Sequence, residues 1–142
     1  MIQRIKDIAR LKGACEMRND ASDWSGMAKL LFSPQGREFC QEKNFPDIQI
    51  WSRIKSAIKT EDYGVYVDSG TIEIDNPENI ALIGMTNASV HFHGVDKSHR
   101  VFLQHGAKAI VKVTDWAVVL IVKCKDCDIE IDNDGTGIVV YE

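Results

Sequence analysis

The sequence predicts an α+β fold in which a short N-terminal helical region, residues 1–60, caps a C-terminal β-solenoid-like region, residues 61–142. Three observations carry this. Up to about Ile58 the apolar residues recur at three- and four-residue spacing, as on half-buried helices. Past Tyr63 they recur at spacing two, in short bursts separated by Gly, Asn, Asp or Ser, as in strands joined by tight turns. The charge balance changes sign at the same place: residues 1–60 carry 11 Lys/Arg against 7 Asp/Glu, and residues 61–142 carry 6 against 14.

The helices follow in order. Ile2, Ile5, Ile8 and Ala9 share one face of the first, and Gly13 is placed to end it. A second begins after Ser22 or Asp23, either of which can accept hydrogen bonds from the first free amides, and carries Trp24, Met27, Ala28 and Leu31 on one stripe. Ser33-Pro34 reads as an N-cap followed by proline at the first helical position, opening a third helix through Arg37, Phe39 and Cys40 to about Lys43. Gly36 weakens that helix, so packing must hold it. After a break at Asn44-Phe45-Pro46-Asp47, Ile48, Trp51, Ile54 and Ile58 define a fourth. Short helices with one stripe each need something further to cover.

In the second region the bursts are Ile72/Ile74, Val90/Phe92, Val101/Leu103, Val111/Val113, Ile129/Ile131 and Val139/Tyr141, with Leu82 and Val119 or Leu120 between them. They recur about every 8 to 11 residues, and small-residue openings recur with them, at Asn87-Ala88, Gly106-Ala107 and Trp116-Ala117. A quasi-repeat of this length predicts short strands stacked two or more to a coil. A β-sandwich or small barrel is the alternative, with longer strands and more variable loops.

Two groups of residues resemble a known set of proteins. One is Leu31–Cys40 with Asn44-Phe45-Pro46; the other is Tyr63–Asp68, Arg100–His105 and Asp115–Val119. Together they are similar to a group of small uncharacterised proteins of gut anaerobes and their phages or mobile elements, in which a few helices precede a strand-repeat tail. The resemblance implies an architecture and a mobile-element setting. It implies no catalytic residues.

The residues offer little chemistry. Cys124 and Cys127 have C-x-x-C spacing and His91 and His93 put two imidazoles on one face of a strand, so the four could compose a zinc site. The pairs lie some 30 residues apart, however, and nothing in the sequence brings them together. Strands flank the C-x-x-C, whereas a redox thiol needs a helix N-terminus. His99 and His105 stand near Arg100, but no nucleophile motif or phosphate-binding loop accompanies them. Asp132-Asn133-Asp134-Gly135 begins like a calcium loop without its Glu and reads instead as an Asx-type turn. The sequence therefore assigns no catalytic, cofactor-binding or metal residues, and the four cysteines (Cys15, Cys40, Cys124, Cys127) are expected to be thiols.

Basic residues are scattered rather than striped, which argues against direct nucleic-acid binding. The first residues lack the apolar run of a signal peptide, and no stretch approaches the roughly 20 apolar residues of a membrane span. A cytoplasmic location is expected, with no membrane association. The leading expectation is a non-enzymatic structural or protein-interaction module, with self-association through the solenoid end near Val139-Val140-Tyr141. One alternative is an inhibitor or decoy of a host nucleic-acid enzyme or defence protein, presenting Glu73, Asp75, Asp128, Glu130 and Asp132 in rows. The other is a small zinc- or ligand-binding protein.

Overall fold

The computed structural model describes residues 2–11 and 23–142. Four helices come first: α1 (Ile2–Leu11), α2 (Trp24–Phe32), α3 (Pro34–Lys43) and α4 (Ile48–Ala57). Gly13, Cys15 and Ser22 lie outside the described residues, as do the side chains of Ile8 and Ala9. The caps explain the helix starts. The Asp23 carboxylate accepts from the Gly26 N–H at 2.7 Å, the Ser33 hydroxyl from Gly36 N–H at 3.0 Å, and Asp47 from Ile50 N–H at 2.9 Å. Ser33 both ends α2 and opens α3. Gly36 permits that tight joint, because a Cβ there would stand 1.8 Å from the Leu30 carbonyl oxygen.

A 3-10 turn at Thr60–Tyr63 leads into nine strands: β1 (Val65–Val67), β2 (Gly70–Asp75), β3 (Asn79–Ile83), β4 (Thr86–Phe92), β5 (Ser98–Gln104), β6 (Lys108–Val113), β7 (Val118–Lys123), β8 (Asp128–Asn133) and β9 (Ile138–Tyr141). Odd strands form one sheet, β1-β3-β5-β7-β9, and even strands the other, β2-β4-β6-β8. Every pairing is parallel. Consecutive strands thus alternate between two stacked sheets, which is a solenoid of two strands per coil rather than a sandwich of antiparallel neighbours. The first coil advances 16 residues, from Val65 to Ala81; later ones advance 21, from Ile80 to Val101, and 20, from Val101 to Ile121. The opening at Asn87-Ala88 lies within β4, one residue after its start.

The period-two residues point inward. Ile74, Val90, Val111 and Ile131 stack in one column of the even sheet, and Ile80, Val101 and Ile121 in one of the odd sheet. These residues fill the space between the sheets, with Phe92 the largest side chain there. Tyr141 is the exception and stays more than half exposed. Coil corners turn through left-handed residues, among them Asp68, Asn76, Gly84, His105, Asp115 and Trp116.

The α+β architecture agrees with the sequence, but the seat of the helices does not. They cover a lateral face of the solenoid, not its end. Val65, Val67, Ala81, Ile83, Phe102 and Val122, the outward residues of the odd sheet, form a second core with Leu31, Phe45, Trp51 and Ile54. Polar tethers span the coils: Lys55 donates to the Asp68 carbonyl in the first, and Gln41 donates to the Lys123 and Glu142 carbonyls in the last. Between them, Trp51 Nε1 donates to Gln104 Oε1 at 2.9 Å, with both side chains buried. The physical reason is area. Covering an end would protect one strand edge, whereas the odd sheet is apolar on both faces along its length.

Candidate functional site

The helical layer stops short of covering the odd sheet. Outward columns near the strand starts run Ser98–Val118–Ile138 and Arg100–Leu120–Val140. Val118, Ile138 and Val140 are exposed, and Trp116, at the corner before β7, is 66 % exposed. The indole belongs to a residue with φ +63°, in the left-handed region where a bulky L residue is strained. Its backbone N–H donates to the Thr136 hydroxyl at 3.1 Å, so the corner itself is held by the main chain and not by the ring. Arg100 joins this bare face to an open groove of about 580 Å³ beside α2, also lined by Lys29, Phe32, Tyr63 and Asn79.

The outer face of the even sheet is polar. Its columns run Glu73–Ser89–Ile110–Glu130 and Asp75–His91–Lys112–Asp132. Acids concentrate on the terminal strands β2 and β8, while β6 carries Lys108 and Lys112. The five acids therefore form two separate groups, three strand steps or about 14 Å apart, instead of continuous rows. At the strand ends, Asp75 meets His91 and His93: His93 Nε2 lies 3.3 Å and His91 Nδ1 3.8 Å from Asp75 Oδ1. His91 Nε2 is 2.8 Å from the Thr114 hydroxyl.

The four-residue zinc arrangement is not assembled. Cys124 and Cys127 sit buried in the corner between β7 and β8, whereas His91 and His93 lie at the far end of β4. A strand length of about 20 Å separates those two edges of the coil stack. Burial pushes the Cys124 thiol up to about 11 and also raises Cys127, the reverse of what activates a thiolate. His99 is wholly buried, with Nδ1 2.6 Å from the Pro77 carbonyl and its ring 4.7 Å from that of Phe92. His105 Nε2 is 2.7 Å from the Pro46 carbonyl and ties the solenoid to the α3–α4 connection. Arg100 donates to Asn79 Oδ1. These three residues serve packing and tethering, and they do not converge.

Asn133 and Asp134 accept hydrogen bonds from the N–H groups of Gly135, Gly137 and Thr136, which makes the Asp132–Gly135 segment a self-satisfied Asx turn. The Thr136 hydroxyl and N–H together hold the Asp134 carboxyl below its usual range.

Sequence reasoning missed Asp75 as a partner of the histidines, and Thr114 behind them. The strand register is what brings them together, placing Asp75 one coil before His91. Among the described residues no helix is long and apolar enough to cross a membrane. Compared with protein-family models, curated proteins and solved structures, the chain matches none.

Proposed function

We propose that the chain is a non-enzymatic protein-interaction module whose docking surface is the bare part of the odd sheet. The observation that supports this most directly is Trp116, a large aromatic held outside the core in a backbone conformation that disfavours it. With Val118, Ile138 and Val140 it makes an apolar patch of roughly 400 Å², the size of the largest patch on a typical monomer, which is often functional.

The occupant is an amphipathic helix of a partner protein. The same sheet already packs helices over its Ala81, Phe102 and Val122 positions, so a further helix beside them continues a layer that the fold supports. A carboxylate on that helix would meet Arg100 at the edge of the groove. Self-association at Val139-Val140-Tyr141 is the alternative occupancy, which the test below separates by mass. A patch of this size makes a small, transient interface with either partner. The cytoplasm of a bacterial host, with a phage or mobile element as the coding source, is the setting of the same proposal and rests on the resemblance alone.

Photo-cross-linkers placed at Ile138 and, as a control, at Ser89 on the opposite face test it in cells. The expected result is one defined adduct from Ile138 that is absent from Ser89 and is lost on Trp116→Gly. Equal labelling at both positions would refute the surface. An adduct of twice the chain's mass would replace the helix by a homodimer.

A further inference from the structure

We propose that Asp75, His91 and His93 form a binding site for one divalent transition-metal ion, with zinc the best match to the donor set. Two imidazole nitrogens and a carboxylate are what such ions select, and their ligand atoms all lie within 4.8 Å of one another. Tetrahedral zinc with bonds of about 2.0–2.1 Å needs ligand atoms about 3.3 Å apart. The observed separations of 3.3 Å and 3.8 Å from Asp75 Oδ1 are already close to that.

The convergence is more than a carboxylate accepting one hydrogen bond. Nitrogens from both rings approach the same oxygen, and His93 Nε2 lies equally close to the second carboxylate oxygen, at 3.3 Å. A cation between the three satisfies all of them. The arrangement is also supported from behind. His91 turns its Nδ1 to the cluster and leaves Nε2 against the Thr114 hydroxyl at 2.8 Å, an outer partner able to accept the Nε2 proton of a ligating histidine and to orient its ring. The main chain that carries the other ring is held too: His93 N–H donates to Asn76 Oδ1 at 2.9 Å, and Asn76 N–H donates to the His91 carbonyl at 2.7 Å. Asp75 and His91 sit on strands in register, a more rigid mount than a loop, and His93 follows directly after β4.

The histidine side chains are about one third exposed and Asp75 more so, which leaves the remaining coordination positions to water. Lys112, next to His91 in the outward column, faces Asp132 on its other side.

Titration calorimetry of the intact chain with zinc chloride is the test. One ion per chain is expected at micromolar affinity, weakened at least about 100-fold by His91→Ala or His93→Ala and about 10-fold by Thr114→Val. Cys124→Ser/Cys127→Ser leaves the affinity unchanged, and cobalt(II) gives an absorption spectrum without thiolate charge transfer. Circular dichroism establishes that each variant is folded. Binding no tighter than about millimolar, affinity retained in His93→Ala, or loss in the cysteine variant would each overturn the site.

Discussion

Replacing Trp116 separates what holds the fold from what the fold presents. In Trp116→Gly three effects act on stability. Relief of a left-handed backbone, φ +63° in the native chain, returns about 1–2 kcal/mol. The extra freedom of glycine in the unfolded chain takes back about 0.4–1 kcal/mol. The indole is 66 % exposed, so only about a third of a full burial of about 3 kcal/mol is lost, or about 1 kcal/mol. The sum lies within about 1 kcal/mol of zero. Trp51 provides the contrast at 5 % exposure, where Trp51→Ala is expected to destabilise by about 3–5 kcal/mol. Urea unfolding followed by far-ultraviolet circular dichroism measures both, since neither reading depends on the deleted fluorophore. A loss of 3 kcal/mol or more in Trp116→Gly would show that the ring supports the corner, and the argument that it is displayed for a partner would fail.

Other outcomes follow from the buried groups. Burial pushes the Cys40 thiol up to about 12 and Cys124 up to about 11, so both should resist iodoacetamide at pH 8 until the chain unfolds, as mass spectrometry can show. Because these folded values lie above the ordinary 9.0, the stability they carry is complete below about pH 9 and is lost as pH rises toward 11–12; urea midpoints that climb over that window would contradict it. Trp51→Phe and Gln104→Leu should each lower stability by about 1–3 kcal/mol, because each leaves a buried partner unpaired, and the double variant should lose less than their sum. Strict additivity in that cycle would deny the bond an energetic role. Gly36→Ala should cost about 1–3 kcal/mol by forcing α2 and α3 apart, and a neutral result would mean the joint yields freely.

Much of the fold was legible because period two is a strong signal when one face of a strand is always inward. Ile72/Ile74, Val90/Phe92 and Val111/Val113 all pack between the sheets. The seat of the helices was also written in the sequence, though in a different pattern. Ile80–Ile83, Val101–Leu103 and Val119–Val122 are unbroken apolar runs, the mark of strands buried on both faces, and all three fall on the odd sheet. Reading them as plain members of the repeat hid the lateral packing. The Asp75 cluster was harder, because it depends on coil length. One residue more or less in the first coil would turn Asp75 away from His91, and local patterning does not fix that number.

The Asp75–His91–His93 cluster and the bare face lie on opposite sides of the coil stack, yet they share a corner. Thr114, behind His91, and Trp116, at the edge of the apolar patch, are two residues apart in the turn from β6 to β7, and the Ala117 N–H closes that turn on the Thr114 carbonyl at 3.1 Å. A metal that drew His91 toward Asp75 would pull on the Thr114 hydroxyl, and the corner Asp115-Trp116, which lies between the paired strands, is one segment that can take up such a shift. Zinc should therefore alter cross-linking from Ile138, in either direction, and Thr114→Val should remove the difference without removing the cross-link. Coupling free energies of about 1–3 kcal/mol are typical of linked sites, a change of fivefold or more in apparent affinity. If cross-linking is indifferent to zinc while zinc itself binds, the corner is rigid and the two faces act independently. Stiffness of the left-handed pair Asp115-Trp116 is thus what would decide whether the proposed metal site and the proposed docking face are coupled.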